Sequence, residues 1–213
     1  MLGLPSPLIA NLFACAGVAY LYASWLSTEL AALVLKPIPV LILVALVLLR
    51  GRRGGPARLI ALGLAASAVG DVLLAWSPDA FTAGLVAFLV AHLLYLVAFL
   101  MQERRPALAL LLPVSLCTAG VYALLHPHLK ELLLPVTVYV GVITAMLWRA
   151  GALRGRVAGG GAALLGAALF VLSDSLLAIN KFAHALAFAD VAVMLTYWAG
   201  QLWIARSVLA SAK

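Results

Sequence analysis

Eight stretches of helix length, almost free of charge and separated by short polar connections, leave this chain few ways to fold. They cover about residues 5–26, 30–49, 57–76, 80–101, 106–125, 131–149, 158–179 and 186–208. A helix needs about 20 apolar residues to cross the hydrocarbon layer of a membrane. Only helices and closed barrels satisfy their own backbone there. No segment alternates apolar and polar residues as a barrel strand does, so the expected fold is all-α. With 66% hydrophobic and 10% charged residues among 213, the balance is unlike that of any water-soluble domain. The expectation is an integral membrane protein, a single transmembrane domain over 1–213 built as a bundle of eight transmembrane helices. No connection is long enough for a soluble domain, and Arg-Gly-Arg-Arg-Gly-Gly-Pro at 50–56 reads as a turn.

The net charge of +7 invites a nucleic-acid reading, but its placement argues against one. Arg50, Arg52, Arg53 and Arg58 lie between runs 2 and 3, and Arg104 and Arg105 between runs 4 and 5. Arg149, Arg154 and Arg156 separate runs 6 and 7, while Arg206 and Lys213 follow run 8. The alternate connections hold Lys130 and Lys181 beside Glu29, Asp79 and Glu131. This positive-inside pattern predicts both termini in the cytoplasm. The arginines then mark topology and touch anionic lipid, with no nucleic-acid partner. Richness in Ala, Leu, Gly and Arg points to a bacterial plasma (inner) membrane. The first run lacks a basic leading region and a cleavage site, and reads as a retained helix. Cys15 and Cys117 lie in apolar runs without CxxC spacing and are expected as buried thiols.

Two aspartates interrupt these runs in segments that repeat each other. Gly63-LAASAVG-Asp71-VLLA and Gly166-AALFVLS-Asp174-SLLA superimpose at an offset of 103 residues, which hints at two weakly repeated four-helix halves. A carboxylate in hydrocarbon costs roughly 2.5–3.5 kcal/mol even on the lenient insertion scale. A chain keeping two in matching surroundings has a use for them, either chemical or as a pair pinning helices together. Counted from the non-cytoplasmic ends of their runs, Asp71, Asp174 and Lys36 each lie about seven residues deep, roughly 10 Å below the outer edge. Lys36 is then placed to face both carboxylates, or to snorkel outward.

Other polar residues gather on single helical faces. Phe81, Gly84, Phe88, His92 and Tyr95 recur at spacings of three and four, as do Tyr197 and Gln201. Gly63, Ser67, Gly70, Gly166 and Ser173 allow close backbone approach around the aspartates. Asn180, Tyr139 and Asp190 are further polar candidates near the outer half. His126-Pro127-His128 lies in a connection without a helical ligand spacing, so no metal is expected. No phosphate-binding loop, dinucleotide fingerprint or nucleophile elbow is present, and no cofactor is implied.

Together Gly70-Asp71, the Gly84/Phe88/His92/Tyr95 stripe, Ser173-Asp174, and Tyr197 followed by Gln201 resemble the YhhN-type lysoplasmalogenase family of multi-pass membrane proteins. Lys36-Pro37 matches the family pattern too, and the resemblance runs from about residue 30 to 208. It implies hydrolysis of the vinyl ether bond of lysoplasmalogens, giving a fatty aldehyde and glycerophosphocholine or glycerophosphoethanolamine. The partners would be a lysophospholipid substrate and membrane lipids. Vinyl ether hydrolysis begins with protonation of the β-carbon and proceeds through an oxocarbenium ion captured by water. Two carboxyl groups in unequal surroundings can divide those duties, as in glycoside hydrolysis. On this reading Asp71 and Asp174 are catalytic, with Lys36, His92, Tyr95, Ser173, Asn180, Tyr197 and Gln201 binding or supporting. The alternative is a small proton-coupled transporter using the same carboxylates; a third reading is a lipid-binding scaffold.

Overall fold

The computed structural model describes residues 7–26 and 28–209. Apart from one isolated bridge between Gly51 and Leu209, their regular structure is helical. In chain order the helices are α1 (Pro7–Trp25), α2 (Glu29–Leu35), α3 (Ile38–Arg50), α4 (Gly55–Trp76), α5 (Phe81–Gln102), α6 (Leu108–Leu125), α7 (Leu133–Leu153), α8 (Gly160–Ala178) and α9 (Ala189–Arg206). Six spans among the described residues are long and apolar enough to cross a membrane: Leu33–Arg50, Gly55–Trp76, Pro78–Gln102, Leu108–His128, Lys130–Leu153 and Gly160–Ala183. These correspond to six of the eight expected runs, and the chain is an all-helical, multi-pass membrane protein. The first and last runs are helical as α1 and α9 but are not among the six. In α9, Asp190, Gln201 and Arg206 fall within one 18-residue helix and lower its hydropathy.

The run expected at 30–49 is two helices rather than one. Lys36 and Pro37 form a turn between α2 and α3. Proline lacks the N–H that an ongoing helix would use, and its ring disfavours helical geometry in the preceding residue. The helix therefore stops at Leu35 and restarts at Ile38, with Pro39 tolerated in the new first turn. The run expected to end at Ile179 instead continues as a π-helical turn, Ile179–Ala183. Its start at Gly160 follows Gly159, whose φ of +89° suits glycine.

The helices group into two compact units, the described part of residues 1–98 with Val208 and Leu209, and Phe99–Ser207. In the first unit α4 packs against α2, α3 and α5. Any side chain at Gly63 would run into the Tyr95 ring, and a Cβ at Gly70 would lie 2.6 Å from the Phe88 ring. One at Gly84 would meet Leu74 at 2.7 Å. Each step along α4 matches an equal step back along α5, so the two run antiparallel with small residues seating large ones. Lipid tails are as apolar as leucine, so close packing of this kind holds membrane helices together. Of the expected stripe on α5, Gly84, Phe88, His92 and Tyr95 are buried, while Phe81 at the helix start is half-buried. The Arg52 amide also donates to the Val208 carbonyl at 2.8 Å, tying the end of the described chain to the turn after α3.

In the second unit α8 crosses α9 almost backbone to backbone. A Cβ at Gly166 would stand 2.6 Å from the Ile204 nitrogen, and one at Gly200 would stand 3.0 Å from the Gly166 oxygen. α7 packs against both α6 and α8. Two expectations need correcting here. Arg149 does not lie in a connection, because α7 extends to Leu153 and buries it. Its guanidinium donates to the Glu103 carbonyl and, at 3.3 Å, to that of Arg105. The Trp148 indole donates to the Ala107 carbonyl at 2.9 Å. Backbone carbonyls after a helix end need donors, and these side chains supply them. The second correction concerns Cys15 and Cys117, which are exposed rather than buried. A helix face turned to lipid is as apolar as one turned inward, so hydropathy alone does not separate the two.

Candidate functional site

Each unit carries one of the two aspartates. In the first, Asp71 sits on α4 and is 1% exposed. Ser67, four residues earlier, lies on the same side of the helix and is fully buried. Gly70 beside the aspartate lets the Phe88 ring lie against the α4 backbone. Facing this stretch, α5 contributes His92 and Tyr95, neither with any exposed surface. Asp71, His92 and Tyr95 are each buried on these two helices, with Tyr95 seated against Gly63 and Phe88 against Gly70, next to the aspartate. Lys36 belongs to the same unit but occupies the turn between α2 and α3, where it is half-buried.

In the second unit Asp174 lies near the end of α8, half-buried. The Tyr139 hydroxyl, carried by α7, donates to Asp174 Oδ2 at 2.6 Å. That tyrosine is itself only 8% exposed. Next to the aspartate, the Ser173 hydroxyl donates to the Val193 carbonyl at 2.9 Å and ties α8 to α9. Tyr197 packs edge-on against Phe170, with ring centroids 5.4 Å apart and planes at 84°. Gln201, one turn further on the same face of α9, is fully buried. Asn180 stands in the π-helical turn, where its side-chain oxygen accepts the Leu186 amide at 2.9 Å. That bond folds the segment after α8 back on itself. π-Helical turns recur at functional sites, and this one begins five residues after Asp174.

The sequence reading noted Tyr139 only as a polar residue of the outer half. Its bond to Asp174 bridges 35 residues of chain, which no local periodicity reveals. One signal was present: at the offset of 103 that superimposes the aspartates, Tyr139 falls on Lys36. Asp190 is exposed in the first turn of α9, where a negative side chain complements the helix dipole. Among the described residues no three His, Cys, Asp or Glu side chains gather as metal ligands would.

The chemistry open to each unit is that of one carboxyl group set inside apolar helices, Asp71 buried in the first and Asp174 held by a tyrosine hydroxyl in the second. Comparison with known proteins narrows it. Human lysoplasmalogenase TMEM86B is 42% identical over 182 residues, 85% of this chain and 76% of the human protein. The pig protein of the same name is 42% identical over 179 residues, 84% of this chain and 75% of its own. A lysoplasmalogenase of Mycobacterium tuberculosis is 38% identical over 125 residues, 54% of this chain and 47% of the mycobacterial one. No solved structure matches. The family model described as the YhhN family matches residues 31–208, a span that takes in both aspartates, the α5 stripe and the Tyr197/Gln201 face, and this chain belongs to that family.

Proposed function

We propose that this protein is a lysoplasmalogenase: an intramembrane hydrolase that cleaves the vinyl ether bond of lysoplasmalogens. The similarity to TMEM86B over most of both chains carries the reading. The carboxyl groups of Asp71, buried, and Asp174, half-buried, supply chemistry that suits it. In the proposed reaction one carboxylic acid delivers a proton to the β-carbon of the vinyl ether, leaving an oxocarbenium ion at the carbon bonded to oxygen. The second carboxylate balances that charge and takes a proton from water as it adds to the same carbon. The hemiacetal so formed collapses to a fatty aldehyde and the glycerol hydroxyl of glycerophosphocholine or glycerophosphoethanolamine. One water is consumed and no redox partner is needed. The low dielectric around a buried carboxyl strengthens its attraction for the developing cation.

The same reading places the protein in a bacterial inner membrane as eight spans in two weakly repeated halves, with both termini cytoplasmic. The alternating arginine-rich connections support that orientation. Lys36, His92 and Tyr95 in the first unit, and Ser173, Tyr197 and Gln201 in the second, are then the binding or supporting residues, and Asn180 shapes the turn beyond Asp174. The deciding experiment incubates detergent-purified protein with lysophospholipids that do and do not carry a vinyl ether, scoring products by mass. Aldehyde should appear only from the vinyl ether lipids, and D71N and D174N should each abolish it while purifying as folded protein. No product from any lipid in the absence of a sealed vesicle and gradient would turn the reading toward transport. Full turnover by either variant would remove that aspartate from the mechanism.

A further inference from the structure

Asp71 and Asp174 sit at equivalent places in the repeat, and the residues at another pair of equivalent places, 36 and 139, differ. Position 36 is a lysine at the break between α2 and α3, whereas position 139 is a tyrosine inside the unbroken helix α7. Only in the second unit does that place bring a hydroxyl onto the aspartate, with Tyr139 Oη 2.6 Å from Asp174 Oδ2. A phenol has one proton to donate, and here it is directed at one named oxygen. The separation falls in the range of about 2.5–2.7 Å typical of a hydroxyl donating to a carboxylate. The tyrosine side chain is buried, and the helix that carries it, α7, packs against α8.

We propose that Tyr139 is a positioning residue for the hydrolysis, fixing the orientation of the Asp174 carboxyl through Oδ2. The proposal rests on the reading of Asp174 as catalytic. Geometry supplies the reason such a residue is needed. A carboxyl group rotates about a soft terminal torsion, and catalytic groups must be held close to their productive orientation for reaction. The Tyr139 hydroxyl supplies such a hold by committing one oxygen of Asp174. The lipid then meets a carboxyl of defined direction on that side.

The test compares wild type, Y139F and D174N as purified, detergent-solubilised full chain acting on a vinyl ether lysophospholipid. Y139F removes one oxygen and keeps the buried ring. Turnover per folded molecule should fall about tenfold to a hundredfold, with KM within about threefold, as when an orienting hydrogen bond is lost. One limb of the pH–rate profile should move while the other stays. Infrared difference spectra give a readout that does not depend on activity: the carboxyl band that D174N removes should shift in Y139F. Wild-type turnover with an unchanged pH profile would overturn the proposal. So would a loss of activity that merely tracks the folded fraction, with the Asp174 band unmoved. Full activity in D174N would instead remove the parent reading, and that result is told apart by being seen in the aspartate variant itself.

Discussion

Replacing Gly166 with alanine sets helix propensity against helix packing with a single added carbon. In a helix interior alanine is favoured over glycine by about 1 kcal/mol, so propensity alone predicts a more stable protein. The crossing of α8 and α9 predicts otherwise. The new Cβ would stand 2.6 Å from the Ile204 nitrogen and 2.7 Å from the Gly200 oxygen. Non-bonded carbon contacts settle near 3.5–4.0 Å, so the two helices must part by roughly 1 Å. Both obstacles are backbone atoms and neither can turn aside. Overpacking of this kind costs about 1–3 kcal/mol. Gly141 on α7 is the natural control, because a Cβ there meets nothing within 4 Å. G141A should gain the propensity and meet no clash. The two variants should therefore differ by about 1–3 kcal/mol, with G166A the weaker. Unfolding of both, followed in the same detergent against wild type, measures that difference directly. Equal shifts, or a more stable G166A, would falsify the close crossing that places Asp174 relative to α9.

Cys15 and Cys117 should both react with a lipid-soluble maleimide in sealed vesicles and resist a charged, membrane-impermeant one; silence toward both reagents would contradict their exposure on the helix surfaces. Arg149→Met should cost about 2 kcal/mol, because it removes a charged donor from two backbone carbonyls. Proteolysis should then speed up at the Glu103–Ala107 connection, and an unchanged cleavage rate would argue that the guanidinium bonds hold nothing in place. Alongside these stand the two expectations already stated, loss of aldehyde release in D71N and D174N, and impaired turnover with a moved Asp174 band in Y139F.

Helix lengths and their order were legible because the hydrocarbon layer forces long apolar runs, and composition records those runs directly. The break at Lys36-Pro37 was also written in the chain. Hydropathy overlooks it, because proline is apolar enough to continue a run while lacking the backbone donor that continues a helix. Which side of a helix faces protein was legible only where residues are small or polar. Gly63, Ser67, Gly70, Asp71, His92 and Tyr95 are all buried, since glycine and polar side chains are worth little against lipid and much against another helix. Cys15 and Cys117 went the other way, because a thiol suits either environment. Arg149 was misplaced by one rule overriding another: arginine near a span marks the cytoplasmic side, but its five donors also serve carbonyls left at helix ends.

Long-range pairing is where reading residues in order runs out. Nothing local links Tyr139 to Asp174, and the offset that aligns the aspartates sets tyrosine against lysine, which looks like a failure of the repeat. The structure turns that mismatch into the informative position. The two carboxyl groups sit in unlike surroundings, Asp71 at 1% exposure beside Gly70 and Asp174 half-buried against the Tyr139 hydroxyl. Acid–base chemistry needs the two to differ. The repeated segments carry two carboxyl groups at matching places, and on the proposed reading the unequal tasks come from divergence between the halves, of which positions 36 and 139 are one instance. The residues that decide which aspartate does what are therefore to be sought where the halves disagree, on α7 and at the α2–α3 turn, rather than in the segments where they coincide.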